Sequence, residues 1–448
     1  MYSRVSPEGE LRMQGLASGA VLALVAVLTA APAGAQTNFT TYVAFGDSLT
    51  AGMSNGALVE THQRRSYPAL LAAQAGVSGF EQPLVSEPGI PTELTLVTLV
   101  PPVIAAKAAK QGEPRRLDLA RPYNNLGVPA AKVSDLLTRV TEGGGGFHDL
   151  ILRGRGTALA QGLSLKPTMV TLWIGSYDLL GAVVNGRAIE GVTLTPVASF
   201  RAAYQSVVDA IKQSGAFAVA ANLPDVTTIP FANTIQPIVV SPSTGAPVRV
   251  NGQTVALIGP DGPLPANSLI TLAAAPLLLK GDGIPVALGG TGRALPNEVI
   301  LDLGEVAAIR ERVGQYNQAI AEICQGAGIP VLDIHAFFAD AVAHGYMVGG
   351  ITLTSAFLSG GLFSFDGAHP TDLGYAVIAN EWIRFINSRG GQLTEVNLGP
   401  YLGVGSATAG SATARAGAHM TVAGGRAPWT AFTAEAYDAL RAAFPLLR

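Results

Sequence analysis

Apolar positions along this chain fall into short runs separated by turn chemistry. Tyr42 to Phe45, Val170 to Ile174, Phe217 to Ala221 and Pro330 to Ile334 are rich in β-branched, aromatic or small apolar residues, and each closes on glycine or polar side chains. Most lead into helix-like segments. That alternation predicts an α/β fold: a mostly parallel sheet with helices on both faces, three layers in all. The helix starts are legible too. Pro129 precedes AAKVSDLLTRV, Pro196 opens a run through Ile211, and Thr371 can cap a helix carrying Leu373, Val377, Ile383 and Ile386. Open sheets of this kind collect ligands beyond the carboxyl ends of their strands, so the residues just after each run are the first candidates for chemistry.

Two long stretches break the alternation. Residues 80 to 122 and 226 to 300 are rich in Pro, Gly and β-branched residues, and VRVNGQTVAL within the second reads as a hairpin turning at Asn251-Gly252. Loops longer than about 15 residues are usually functional or disordered, so both are expected to be insertions that wall or cover a pocket. From Gly403 to Gly425 the composition becomes that of a linker, and an amphipathic helix, FTAEAYDALRAAF, follows. The expected organisation is a leader over 1–35, one domain over 36–402, and a tail over 403–448 that docks or does nothing.

The leader is expected from residues 16 to 30, LASGAVLALVAVLTA, which follow Arg4 and Arg12 and precede Ala33-Gly34-Ala35. This is the pattern of an export signal cleaved after Ala35, leaving a mature chain that starts near Gln36 in the periplasm, at the outer surface or outside the cell. Later apolar stretches are interrupted by Pro101-Pro102 and Pro276, so no transmembrane segment is expected in the mature chain. A net charge of −3 offers no basic field for nucleic acid. The only cysteine, Cys324, cannot form an intramolecular disulfide and reads as a core thiol on a helix.

Two segments carry the chemistry. YVAFGDSLTAG places Ser48 directly after a buried strand, but a serine hydroxyl is a weak nucleophile without a base and without donors for the oxyanion formed on attack. FSFDGAHPTDLGY, most of the chain away, offers Asp366 and His369 three residues apart. A carboxylate beside an imidazole fixes its tautomer and leaves the other nitrogen free to accept a proton.

Together these segments resemble the blocks of the SGNH/GDSL hydrolase family. Gly46 to Leu49 reads Gly-Asp-Ser-Leu, and Asp366 to His369 reads Asp-x-x-His, in the right order from residue 41 to about 388. The resemblance implies a flavodoxin-like fold with Ser48 as nucleophile, His369 as base and Asp366 orienting it. It also implies an oxyanion hole drawn from the Ser48 amide, the Gly127 amide in NNLGVPAAKVSDLL, and a third donor. The family expects Gly-x-Asn-Asp for that donor, whereas this chain reads Gly175-Ser176-Tyr177-Asp178, with Tyr177 in the asparagine position. Loss of one donor typically costs a factor of about 10²–10³ in turnover, unless the Tyr177 hydroxyl, Ser176, Asn124 or Asn125 takes its place. The resemblance implies a carboxylic-ester hydrolase acting on lipid, aryl or acetylated-sugar esters through an acyl-enzyme, with no cofactor and no metal. The alternative is a non-catalytic surface or binding protein that keeps the fold with a degenerate oxyanion hole.

Other candidates have plainer readings. Asp47 and Asp178 are expected to brace their own turns. Asp333 and His335 share a strand end without further ligands at metal-binding spacing. His62, His148, His344 and His419 read as surface residues, and Trp173 as core. ITLTSAFLSGGLFSF, just before Asp366, is apolar enough to form an acyl-binding wall.

Overall fold

Five strands lie side by side, every neighbouring pair parallel: β1 (Tyr42–Gly46), β2 (Asn125–Gly127), β3 (Met169–Trp173), β4 (Phe217–Ala221) and β5 (Val331–Leu332), in the order β5-β4-β3-β1-β2. The computed structural model describes residues 37–99, 102–241, 244–402 and 430–444. The expected leader with its cleavage site, the linker over 403–425 and His419 lie outside the described residues.

The helices that shape the site are α1 (Ser48–Ala51), α2 (Tyr67–Gln74), α3 (Tyr177–Val184), α4 (Val197–Gln213), α5 (Leu303–Ala327), α6 (Ile334–His344), α7 (Asp372–Asn387) and α8 (Ala434–Ala443). Every residue of β1 and β3 is buried, as a sheet covered on both faces requires. One cover is α2 with α7: Tyr67 stacks on Trp382 with ring centroids 5.1 Å apart and meets Trp173 edge-on at 5.6 Å. The other is α4 with α5, where Phe200 stacks on Tyr316 at 3.8 Å. Trp173 is core as expected, and so is Cys324, whose thiol burial pushes up to about 11.

β1 is the switch point of this sheet. The chain leaves it for β2 on one side and then crosses to β3 on the other, which opens a crevice at the carboxyl ends. Gly46 is in register with both Gly127 and Trp173, so three strands end level at that rim. Two of those positions admit no side chain. A Cβ on Gly46 would lie 2.0 Å from Thr50 Oγ1, and one on Gly127 would lie 2.4 Å from the Ala51 nitrogen. Close seating of α1 on the strand ends depends on both glycines.

The elements after Pro196 and Thr371 form as expected, and the hairpin turns at Asn251 and Gly252, both at positive φ (51° and 81°). The segment after Pro129 does not become the expected long helix. Only Asp135–Thr138 is helical. Ala130 takes a left-handed φ of 64°, and the Val133 and Lys132 amides go to the carboxylates of Asp178 and Asp135 instead of to a helix ladder. The first insertion forms an antiparallel hairpin of Leu94–Leu99 with Pro102–Ala106. The second has its own small core around Val239, Leu257, Ile270, Leu278 and Leu295.

Candidate active site

Ser48 opens α1 at the carboxyl end of β1. Asp47 caps that turn, its carboxylate accepting the Leu49 N–H at 3.0 Å, so the bracing role read for it holds. Burial drives the Asp47 pKa up to about 6, against the Leu49 bond and the nearby His369, which pull it down. The Ser48 N–H donates to no other group among the described residues.

The partner side is a loop between Phe363 and Thr371. His369 Nδ1 stands 2.9 Å from Asp366 Oδ2, with both residues buried. Asp366 Oδ1 accepts the amides of Ala368 and His369, each at 2.8 Å, and Oδ2 also accepts the Gly56 N–H at 2.6 Å. Burial alone would raise the pKa of this carboxyl, but the neighbouring His369 and these N–H donors outweigh it and hold it below the ordinary aspartate value.

The two segments, some three hundred residues apart, are stitched together immediately after α1. Ser54 Oγ donates to the Pro370 carbonyl at 2.9 Å, the Asn55 N–H to Ser364 Oγ at 2.9 Å, and the Phe365 N–H to Asn55 Oδ1 at 3.1 Å. The Tyr375 hydroxyl reaches back from α7 to the Met53 carbonyl at 2.7 Å.

The oxyanion side departs from expectation at Gly127. Its N–H donates at 3.0 Å to Asn125 Oδ1, so the glycine serves close packing and its amide is engaged. Asn125 also holds the Thr50 carbonyl, and Asn124 the Tyr42 carbonyl, which removes both side chains as substitutes for the missing asparagine. The Ala130 N–H, three residues further along the same loop, donates to no other group among the described residues, like that of Ser48. Nothing in an alanine announces a positive φ, so the sequence offered no sign of it. Tyr177 starts α3 with its ring in the core, only 8% exposed, and burial holds its phenol well above the usual range. Asp178 braces more than its own turn, since Val133 donates to it at 2.9 Å and ties the β2 and β3 loops together. Ser176 packs against the Asp47 carboxyl.

Two histidines read as surface residues are not. His148 is buried against Glu142, with Nδ1 3.2 Å from the carboxylate. His62 lies between two carboxylates, Nδ1 2.6 Å from Asp372 and Nε2 2.8 Å from Glu93, while Asn55 and Lys107 also bond Glu93 and Arg65 bonds Asp372. Burial would lower its pKa, but the paired carboxylates raise it to about 9. Only tertiary contact brings Glu93, from the first insertion, to this ring. His344 is exposed, on Asp340. Asp333 caps α6, and His335 Nδ1 donates to the Leu223 carbonyl at 3.0 Å, so both have structural work.

A parallel sheet with a serine at its switch point, and a buried Asp–His pair bonded to the segment that follows that serine, is the architecture of a hydrolase of the SGNH class on an α/β fold. The chain belongs to the GDSL-like lipase/acylhydrolase family, whose model matches residues 42–382. No curated protein matches it. Among solved structures, an extracellular lipase from Streptomyces rimosus is 16% identical over 78% of this chain and 99% of its own, with a TM-score of 0.34. Phospholipase A1 from Streptomyces albidoflavus NA297 is 14% identical over 78% and 98%, with a TM-score of 0.29. LAE5, an alpha/beta hydrolase enzyme from the metagenome of Lake Arreo, Spain, is 13% identical over 78% and 94%, with a TM-score of 0.35.

Proposed function

We propose that this chain is an exported carboxylic-ester hydrolase working through an acyl-enzyme. The observation that carries the reading is the Asp366 carboxylate, which holds the His369 imidazole and the Gly56 amide on one oxygen and so anchors the base to the segment that follows the nucleophile. In this reading His369 Nε2 takes the Ser48 proton as the hydroxyl attacks the ester carbonyl. The Ser48 and Ala130 amides stabilise the oxyanion. His369 returns the proton to the leaving alcohol, and water then repeats the cycle to free the acid.

Lipid, aryl or acetylated-sugar esters are the proposed substrates. The apolar contact of Phe337, Phe338, Leu362, Phe363 and Pro370, the last adjoining His369, encloses only about 20 Å³, room for a single water, so this wall does not select acyl chains among them. Export is proposed on the run at residues 16 to 30 and the Ala33-Gly34-Ala35 site, and no helix of the described residues is long and apolar enough to cross a membrane.

The test is hydrolysis of short-chain aryl esters by the mature protein beside Ser48→Ala. Turnover by the wild type alone supports the reading. If the two are equally inert across chain lengths and pH, the chain is a binding protein that keeps a hydrolase fold.

A further inference from the structure

The tail returns to the catalytic histidine. Ala431–Phe432 adds a short parallel strand to Pro102–Ala106 of the first insertion, and the Thr433 N–H bonds the Ile104 carbonyl at 2.9 Å. Thr433 then caps α8, accepting the Ala436 N–H at 3.2 Å. Ala436, Ala439, Leu440 and Ala443 form the buried face of that helix. Ala443 packs beside Gly56, its Cβ 3.6 Å from where a Gly56 Cβ would stand. Beyond it Phe444 lies flat on His369, with ring centroids 5.6 Å apart and planes 9° from parallel. Phe231, from the second insertion, also packs on Phe444, with ring centroids 5.4 Å apart. Under this cover His369 is 3% exposed and Phe444 4%.

The fold does not need the tail for its sheet or for its acid–base pair, since all five strands and Asp366–His369 lie before the end of α7 at Asn387. What the tail contributes is apolar bulk against the base and against the segment whose amide holds Asp366. Its buried helical face is mostly alanine and its strand two residues long, so it is attached by far less large apolar surface than the elements beneath it. A ring so placed occupies volume that the alcohol or acyl part of an ester would otherwise use beside the imidazole.

We propose that residues 430–444 are a built-in cover over the ester site and that Phe444 is its specificity-determining residue. With the ring on His369 small ester groups fit beside the base; with the ring removed, bulky ones do. The assignment rests on the esterase reading of Ser48 and His369.

The test uses the full chain with Phe444→Ala and Phe444→Tyr. Two quantities are measured: kcat/KM on an aryl acetate and an aryl dodecanoate, and the rate at which diethyl pyrocarbonate modifies His369, followed by peptide mass spectrometry. Phe444→Ala is expected to raise the dodecanoate-to-acetate ratio about tenfold and to speed modification of His369 by a similar factor, while Phe444→Tyr, which keeps the stack, behaves as wild type. An unchanged modification rate overturns the cover. Faster modification with an unchanged ratio overturns the specificity role. If wild type hydrolyses neither ester, the esterase reading fails and takes the specificity assignment with it, and the modification rate still decides whether the tail covers His369.

Discussion

Gly56 donates its N–H to Asp366 Oδ2 at 2.6 Å, the same oxygen that faces His369 Nδ1. The carboxylate is thereby held from both ends of the chain, and an amide in its place could accept only on its oxygen while its NH₂ met an N–H donor. Asp366→Asn is expected to lower kcat by roughly 10³–10⁴ through loss of the productive imidazole tautomer. Steady-state kinetics on an aryl ester, with circular dichroism to confirm folding, checks this.

His62 predicts an alkaline loss of stability. Its folded pKa of about 9 lies above the ordinary histidine value near 6.5, so the bridge among Asp372, Glu93, Asn55, Arg65 and Lys107 contributes fully below that value. The contribution fades as pH rises through about 9. His62→Asn is expected to lose about 3 kcal/mol at pH 6 and progressively less toward pH 10, because the variant lacks the bridging cation between the two carboxylates at every pH, whereas wild type loses it only as pH rises through about 9. Urea melts of both proteins across that range would show the gap closing; a constant gap would rule out the imidazolium.

Ala130 stands at φ 64°, where a side chain is strained. Ala130→Gly is expected to stabilise the protein by about 0.5–1 kcal/mol, the left-handed strain relieved less the extra freedom of glycine in the unfolded chain. Turnover should be retained, since the amide is kept. A lower melting temperature would show that the turn does not need its left-handed residue.

Tyr177 is a buried core residue as well as an occupant of the asparagine position. Restoring the family residue with Tyr177→Asn is expected to cost about 3 kcal/mol by leaving a cavity and an amide in apolar surroundings, while Tyr177→Phe keeps the ring and stays within about 1 kcal/mol of wild type. Thermal unfolding of the two variants separates packing from donation. Equal stability of Asn and wild type would show that the ring carries no packing load.

Much of this protein was legible in its residues because the relevant physics is local. Short continuous apolar runs marked β1, β3, β4 and β5, Thr371 and Pro196 marked helix starts, and Asn251-Gly252 marked its hairpin. The pairing of Asp366 with His369 could be read from a three-residue spacing, which the tight loop closes at 2.9 Å. β2 was hidden, since Asn125–Gly127 is three residues long with a polar start, and the segment after Pro129 imitated a helix while its amides went to Asp135 and Asp178.

What only the tertiary structure decided is which distant groups compete for the same partners. Whether the Gly127 amide is available depends on where Asn125 turns its side chain, and whether His62 is a surface residue depends on Glu93 and Asp372 arriving from elsewhere. The same holds for Phe444 on His369. Sequence alone set the local preferences of strand, cap and turn, because those depend on near neighbours. The packing of segments hundreds of residues apart set burial, charge state and access, because these depend on what else fills the space around each group.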